Sequence, residues 1–205
     1  MKILWALDVF DDESSIREKT IQELRMLGER TSIQVDPVYV LNPDQLGIAL
    51  EFSPPWEQKY APAAKKAAVD LLHGVTLKGL NEPKIITQER VSLKAAVQTL
   101  VNYAVGKDYD LIVAGSHGRK GLERLFLGSF TEELVLQSKV PLLLIGHHAQ
   151  VRSHNGPMHV LIPNDLRQPS SRFFKETIRW VKELSGRITL TSVVTHPVEA
   201  VVQSG

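Results

Sequence analysis

The chain has 205 residues, 43% of them hydrophobic, which suits one or two domains with a proper core, and its formal charge of +1 gives no sign of a nucleic-acid partner. With no cysteine there are no disulfides and no thiol chemistry, in keeping with a reducing, cytoplasmic setting. No apolar run approaches the roughly 18 residues of a membrane span, and the opening MKILWALDVF leads into acidic residues instead of a cleavage site, so neither a membrane partner nor a signal peptide is expected.

Residues 2–8 read as a strand ending at Asp8. The acidic run Asp11, Asp12, Glu13 and the cap-like Ser14 then predict a helix to about Gly28, with Ile16, Leu24 and Leu27 facing inward. A second strand is expected at 32–40, with a bulge or bend at Pro37, which cannot donate to a ladder. From Leu41 to Pro62 five prolines and glycines exclude a long regular element, and Phe52, Trp56 and Tyr60 either cover a ligand or pin this segment to the body. A helix at 63–78, a short strand at 84–87 and a strongly periodic helix at 92–106 follow. A strand at 110–115, a glycine loop, a helix at 129–138 and a strand at 142–145 close the pattern. Strands alternating with helices imply an α/β fold with a five-stranded, parallel, doubly wound sheet, in which ligands bind beyond the C-terminal strand ends where the winding reverses.

The stretch DLIVAGSHGRKGLERLFLGSFTEE, Asp110 to Glu133, is the chemically informative one. A short buried-type strand runs into Gly115 and Gly118, nine residues intervene, and Gly128-Ser129 opens a helix with capping-box spacing between Ser129 and Glu132. Glycines admit close backbone approach and a helix N-terminus offers free N–H groups, so the segment suits phosphate; an ordinary strand-to-helix connection is the other reading. Neither the Walker spacing nor GxGxxG occurs in the chain.

The spacing Gly115, two residues, Gly118, nine residues, Gly128-Ser129, with the words GSHGRKGLERLFLGS and SKVPLLLIG, resembles the ATP-binding signature of the universal stress protein family. The resemblance covers residues 1–148 as a whole domain and implies an adenine nucleotide alpha hydrolase-like fold with the first and fourth strands adjacent. It further implies that Ala6, Leu7 and Asp8 form one wall of a nucleotide site, that Val40 gives main-chain contact to adenine, and that Ala114, Gly115, His117 and Gly118 face ribose and phosphates. Gly128, Ser129, Phe130 and Thr131 would complete the phosphate cradle, with Arg119 as a neutralising cation. Ala6-Leu7 departs from the Pro-Thr-like pair of the family pattern, which bears on how the ribose side is held. Asp8 also suits a plain helix or turn cap, His117 has no carboxylate placed to orient it as a base, and His147, His148, His154 and His159 lack the spacing of a metal site.

After His148 a polar linker, 149–157, leads into a partial copy of the beginning. HVLIPNDLRQPSSRFFKETIRWVKELSGRITLTSVV tracks the first 40 residues, with Asp165 in the place of Asp8, and 158–205 is expected to form strand, helix, strand without a glycine loop of its own. Residues 1–148 hold 17 basic and 19 acidic side chains and residues 149–205 hold 7 and 4, an asymmetry too small to name a partner. The helix of the copy, about 169–185, carries Phe173, Phe174, Ile178, Trp180, Val181 and Leu184, so its apolar surface is expected to be covered by a second chain or by 1–148.

Three functions remain open at this point. The first is an ATP-binding stress protein that holds ATP or another adenine nucleotide, with magnesium as an optional companion, as a structural or signalling ligand. The second is a slow ATP-hydrolysing enzyme, for which no nucleophile–base pair is recognisable. The third is an interaction module with no nucleotide, which dimerises through the strand at 141–145, the tail 158–205, or both.

Overall fold

A computed structural model describes residues 1–9, 14–43, 56–116, 129–150, 158–163, 171–184 and 186–191. The chain divides into two compact units, Met1–Arg152 and Ser153–Gly205.

The first unit holds β1 (Lys2–Ala6), α1 (Ser14–Arg30), β2 (Gln34–Leu41), α2 (Trp56–Leu71), β3 (Lys84–Thr87), α3 (Leu93–Gly106), β4 (Leu111–Ser116), α4 (Ser129–Gln137) and β5 (Leu142–Gly146). Its five strands are all parallel, in the order β3-β2-β1-β4-β5. The sequence winds outward from β1 to β3, then returns to β4 beside β1, so the reversal lies between β1 and β4, as the family resemblance implies. Right-handed crossovers put α1 and α2 on one face and α3 and α4 on the other. Strand alternation follows this division. Leu4, Val38, Val40, Ile112 and Ala114 pack with α3 and with Leu134 of α4, while Tyr39 and Leu41 pack with Ala64 of α2.

Two prolines sit differently from expectation. At Pro37 there is no bulge in β2, for Trp5↔Pro37 is an ordinary pair within an unbroken β1–β2 register. Val35 donates to the carbonyl of Gly79, so its N–H points toward the β3 side, and the nitrogen of Pro37, two residues on, points the same way. The extra residue lies on the facing segment instead. Val35 bridges Leu80 and Val38 pairs with Lys84, so three steps along β2 correspond to four along its neighbour. Pro37 thus falls where the neighbouring chain has left the ladder and asks for no donor.

Pro62 was expected to precede the second helix, yet α2 begins at Trp56 and has Pro62 inside it, and it stops at Leu71 rather than 78. The proline lacks one N–H for the helix, but it is exposed, and the turn before it is anchored by packing: Trp56, Tyr60 and Ala61 lie against the Tyr39–Leu41–Ala64 cluster. The two described aromatics therefore pin the start of α2 to the sheet, and Phe52 lies outside the described residues. Gly74, with φ of +79°, turns the chain after α2. α3 begins as expected, with the Ser92 hydroxyl accepting from the Ala95 N–H at its N-terminus.

A buried polar cluster ties the N-terminal half of the sheet together. Asp36 on β2, 1% exposed, accepts from the Tyr109 hydroxyl at 2.6 Å and from Asn81 Nδ2 at 2.8 Å, and pairs with Lys84 Nζ at 2.9 Å. Burial alone would raise the carboxyl's pKa, but the hydrogen bonds from Tyr109, Lys84 and Asn81, with the charge of Lys84, outweigh it and hold Asp36 below the usual carboxylate range. Burial, and then the Asp36 carboxylate, pushes the Tyr109 phenol far up, so it stays a donor.

The second unit contains β6 (His159–Pro163), α5 (Ser171–Glu183) and β7 (Arg187–Thr191), with the two strands paired in parallel from His159↔Arg187 to Pro163↔Thr191. This is the strand, helix, strand read from the partial copy. Ile162, Val181 and Leu184 are buried, with Val181 against Gly186, so of the helix positions expected to need cover Val181 and Leu184 have it already, while Ile178 remains 40% exposed. The side chain of Phe174 lies outside the described residues.

Candidate functional site

At the C-terminal ends of β1, β2 and β4 a cavity of about 380 Å³ opens where the winding reverses. It exists because adjacent strands carry small residues at this point: Ala6 pairs with Ala114, and Gly115 follows. Neither side chain fills the space between the two faces of helices.

Of the residues marked in the sequence, Ala6, Leu7, Asp8, Val40, Ala114, Gly115, Ser129, Phe130 and Thr131 all line this cavity. His117, Gly118, Arg119 and Gly128 lie outside the described residues. The β1 ladder ends at Ala6, two residues earlier than expected, but the Leu7 N–H still reaches the Val38 carbonyl at 2.9 Å. This bond holds Asp8 at the rim, where it is exposed to solvent. Behind it Tyr39 is buried, and burial followed by the Asp8 charge pushes its phenol far up, so its proton stays on.

The opposite wall is the start of α4. Its first turn, Ser129-Phe130-Thr131, has backbone N–H groups with no partner inside the helix and carries the positive end of the helix dipole. Thr131 is buried, and its hydroxyl makes a long 3.4 Å contact to the Gly115 carbonyl, which fastens the helix start to the end of β4. The arrangement offers an apolar floor, main-chain polar groups at Val40 and Gly115, and an electropositive end.

Sequence reasoning passed over the α1 side of the cavity, where Ile16, Arg17 and Thr20 face in, together with Trp5, Val38, Leu93 and Leu100. The spacing of Ile16, Arg17 and Thr20 puts them on one side of a helix, and Ile16 was already read as inward, so the signal was present. The Thr20 hydroxyl is used locally, donating to the Ile16 carbonyl at 2.8 Å. Among the described residues no group of three or more His, Cys, Asp or Glu could hold a metal ion, and no helix is long and apolar enough to cross a membrane.

Comparison with known proteins bears on this architecture. The model of a family described as the universal stress protein family matches residues 1–146. A universal stress protein from Archaeoglobus fulgidus superposes with a TM-score of 0.57 at 14% identity, over 98% of this chain and 70% of that one. The hypothetical protein MJ0577, whose biochemical function was assigned from its structure, gives 0.53 at 21% identity, over 73% of this chain and 97% of its own. A universal stress protein in complex with cAMP gives 0.46 at 17% identity, over 71% of this chain and 97% of its own. No curated protein matches the sequence significantly.

Proposed function

This chain belongs to the universal stress protein family, and from that premise we propose that it binds an adenine nucleotide, ATP foremost, at the β1–β4 reversal and holds it as a structural or signalling ligand in a stress response. The observation that carries the reading is the cavity itself, in which nine residues marked from the sequence converge with the α4 N-terminus. Adenine would lie toward Val40, with ribose between Asp8 and Gly115 and phosphates along Ser129, Phe130, Thr131 and the glycine loop with His117, Gly118, Arg119 and Gly128. Any magnesium would arrive with the phosphates and keep most of its water, since Asp8 is the one carboxylate among the described residues lining the site.

Holding is favoured over turnover by what two of the hydroxyls lining the site do. Those of Thr20 and Thr131 are directed at backbone carbonyls, an arrangement that prepares neither as a nucleophile. Slow ATP hydrolysis remains the alternative, and a phosphate-release assay with bound ATP separates the two.

The test of binding is direct. Purified protein is denatured, the released small molecules are identified by mass spectrometry, and the stripped protein is titrated calorimetrically with ATP. Adenine nucleotide in the extract and saturable ATP binding are expected, with Gly118→Val losing at least about tenfold in affinity because a branched side chain stands where backbone must approach phosphate. No binding by the parent, or equal binding by the variant, removes the glycine-loop assignment.

A homodimer through β5 accompanies this reading. Among the described residues β5 pairs with β4 alone and ends the sheet, and Leu142, Leu143 and Leu144 on it are only half-buried. The tail 158–205 offers a second contact through its exposed apolar residues. Light scattering should show a dimer for the parent and a shift toward monomer for Leu143→Lys. A parent that stays monomeric at high concentration rules out the β5 pairing.

A further inference from the structure

Arg17 has no role in the reading given so far, and its position is unusual. It lies in the first turn of α1, where the positive end of the helix dipole disfavours a cation, and no acidic side chain accompanies it in that turn. It lines the same cavity as Ser129 and Gly115, is half-buried, and among the described residues no carboxylate pairs with it. A partly desolvated guanidinium with its five donors, set against a local field and with no carboxylate partner among the described residues, is arranged for an anion from outside.

We propose that Arg17 is a phosphate-recognition residue of this cavity, so that the site selects phosphorylated nucleosides over free nucleosides through a contact from the α1 face. The inference rests on the nucleotide reading and adds to it. α4 lies on the opposite face of the sheet, so a phosphate between the two elements is held from both sides, by a side-chain charge on one and by main-chain N–H groups on the other. The only other charged residue lining the cavity among those described is Asp8, an anion, which cannot serve this purpose. The partial copy agrees with the assignment: where it lacks a glycine loop it also has Phe174 in the place of Arg17, while Thr177 keeps the place of Thr20.

The experiment titrates parent, Arg17→Gln and Arg17→Lys with adenosine, AMP, ADP and ATP at low ionic strength. For the parent, affinity should rise from adenosine to the phosphorylated ligands. Arg17→Gln should lose roughly ten- to a hundredfold for ATP with adenosine unchanged, and Arg17→Lys should recover part of the loss. The melting temperature of ligand-free Arg17→Gln should equal or exceed the parent's, because a cation leaves the helix N-terminus; a purely structural arginine would lower it. Equal ATP affinity in parent and Arg17→Gln, or equal losses for adenosine and ATP, overturns the role of Arg17 while leaving the nucleotide site standing. A parent that binds none of the four ligands overturns the nucleotide reading, and the role of Arg17 with it.

Discussion

Gly79→Ala should cost about 3 kcal/mol or more of folding stability, whereas the same change at Gly74 should cost only about 1 kcal/mol. Both glycines have φ of +79°, so both alanines meet the same intrinsic penalty of the left-handed region. Their surroundings differ. A Cβ at Gly79 would lie 2.1 Å from the Ile33 carbonyl oxygen, and nothing lies within 4 Å of one at Gly74. The segment cannot step aside, because the Gly79 carbonyl accepts from Val35 at 2.8 Å and the Asn81 N–H donates to the Val35 carbonyl at 2.9 Å. Urea denaturation of the two variants measures the difference, and similar losses at both positions would show that the Leu80 bridge yields easily.

Asp36→Ala ranks beside it. Removing one partner of a buried, hydrogen-bonded charge typically costs about 3–5 kcal/mol, and here the loss leaves the Tyr109 hydroxyl and the Asn81 amide without their acceptor. The same carboxylate sets a pH dependence. Its folded-state pKa is depressed, so its contribution is complete above the ordinary carboxylate value of about 3.9 and is lost as pH falls through the lower folded value. Denaturation midpoints should therefore stay level for this group from neutrality to about pH 4 and decline below it. Asp36→Asn, which keeps the size and removes the titration, should flatten that acid decline. An unchanged acid limb in Asp36→Asn would mean that other carboxylates govern it.

How much of this could be read from the sequence depends on which residues set the outcome. The alternation of apolar strands with the periodic helix at 93–106 is local information, and it sufficed for the element order and the sheet class. The glycine-loop wall of the cavity was legible because Gly115 ends β4 and Ser129 opens α4, positions that glycine and capping-box spacing record, whereas the β1 and β2 walls came from the family resemblance. Pro37 and Pro62 were misread for the opposite reason. Each was judged by its effect on its own element, while its tolerance was decided by a neighbour: an extra residue between Leu80 and Lys84 in one case, burial of Trp56 and Tyr60 in the other. Asp36 was equally hidden, since nothing local announces that Tyr109, 73 positions away, will donate to it. Arg17 lies on a helix and not at a strand end, so no strand-end signal marks it, although it shares with Ile16 and Thr20 the face that lines the cavity.

The adjacency of β1 and β4 also governs when the cavity can come into being. Ile3 must find Leu111, so roughly a hundred residues of intervening chain have to be gathered before this ladder forms, and β1 meanwhile has β2 on one side alone. At a synthesis rate of about 5–20 residues per second, Ala6 waits on the order of ten seconds for Thr131 to be made. During that interval the nascent chain presents an unpaired apolar edge at Ile3, Leu4 and Trp5 and no binding site. The cavity is thus a late-acquired feature of this fold, absent from any N-terminal fragment that ends before α4, and any ligand that binds the finished cavity would stabilise the completed sheet over every earlier stage.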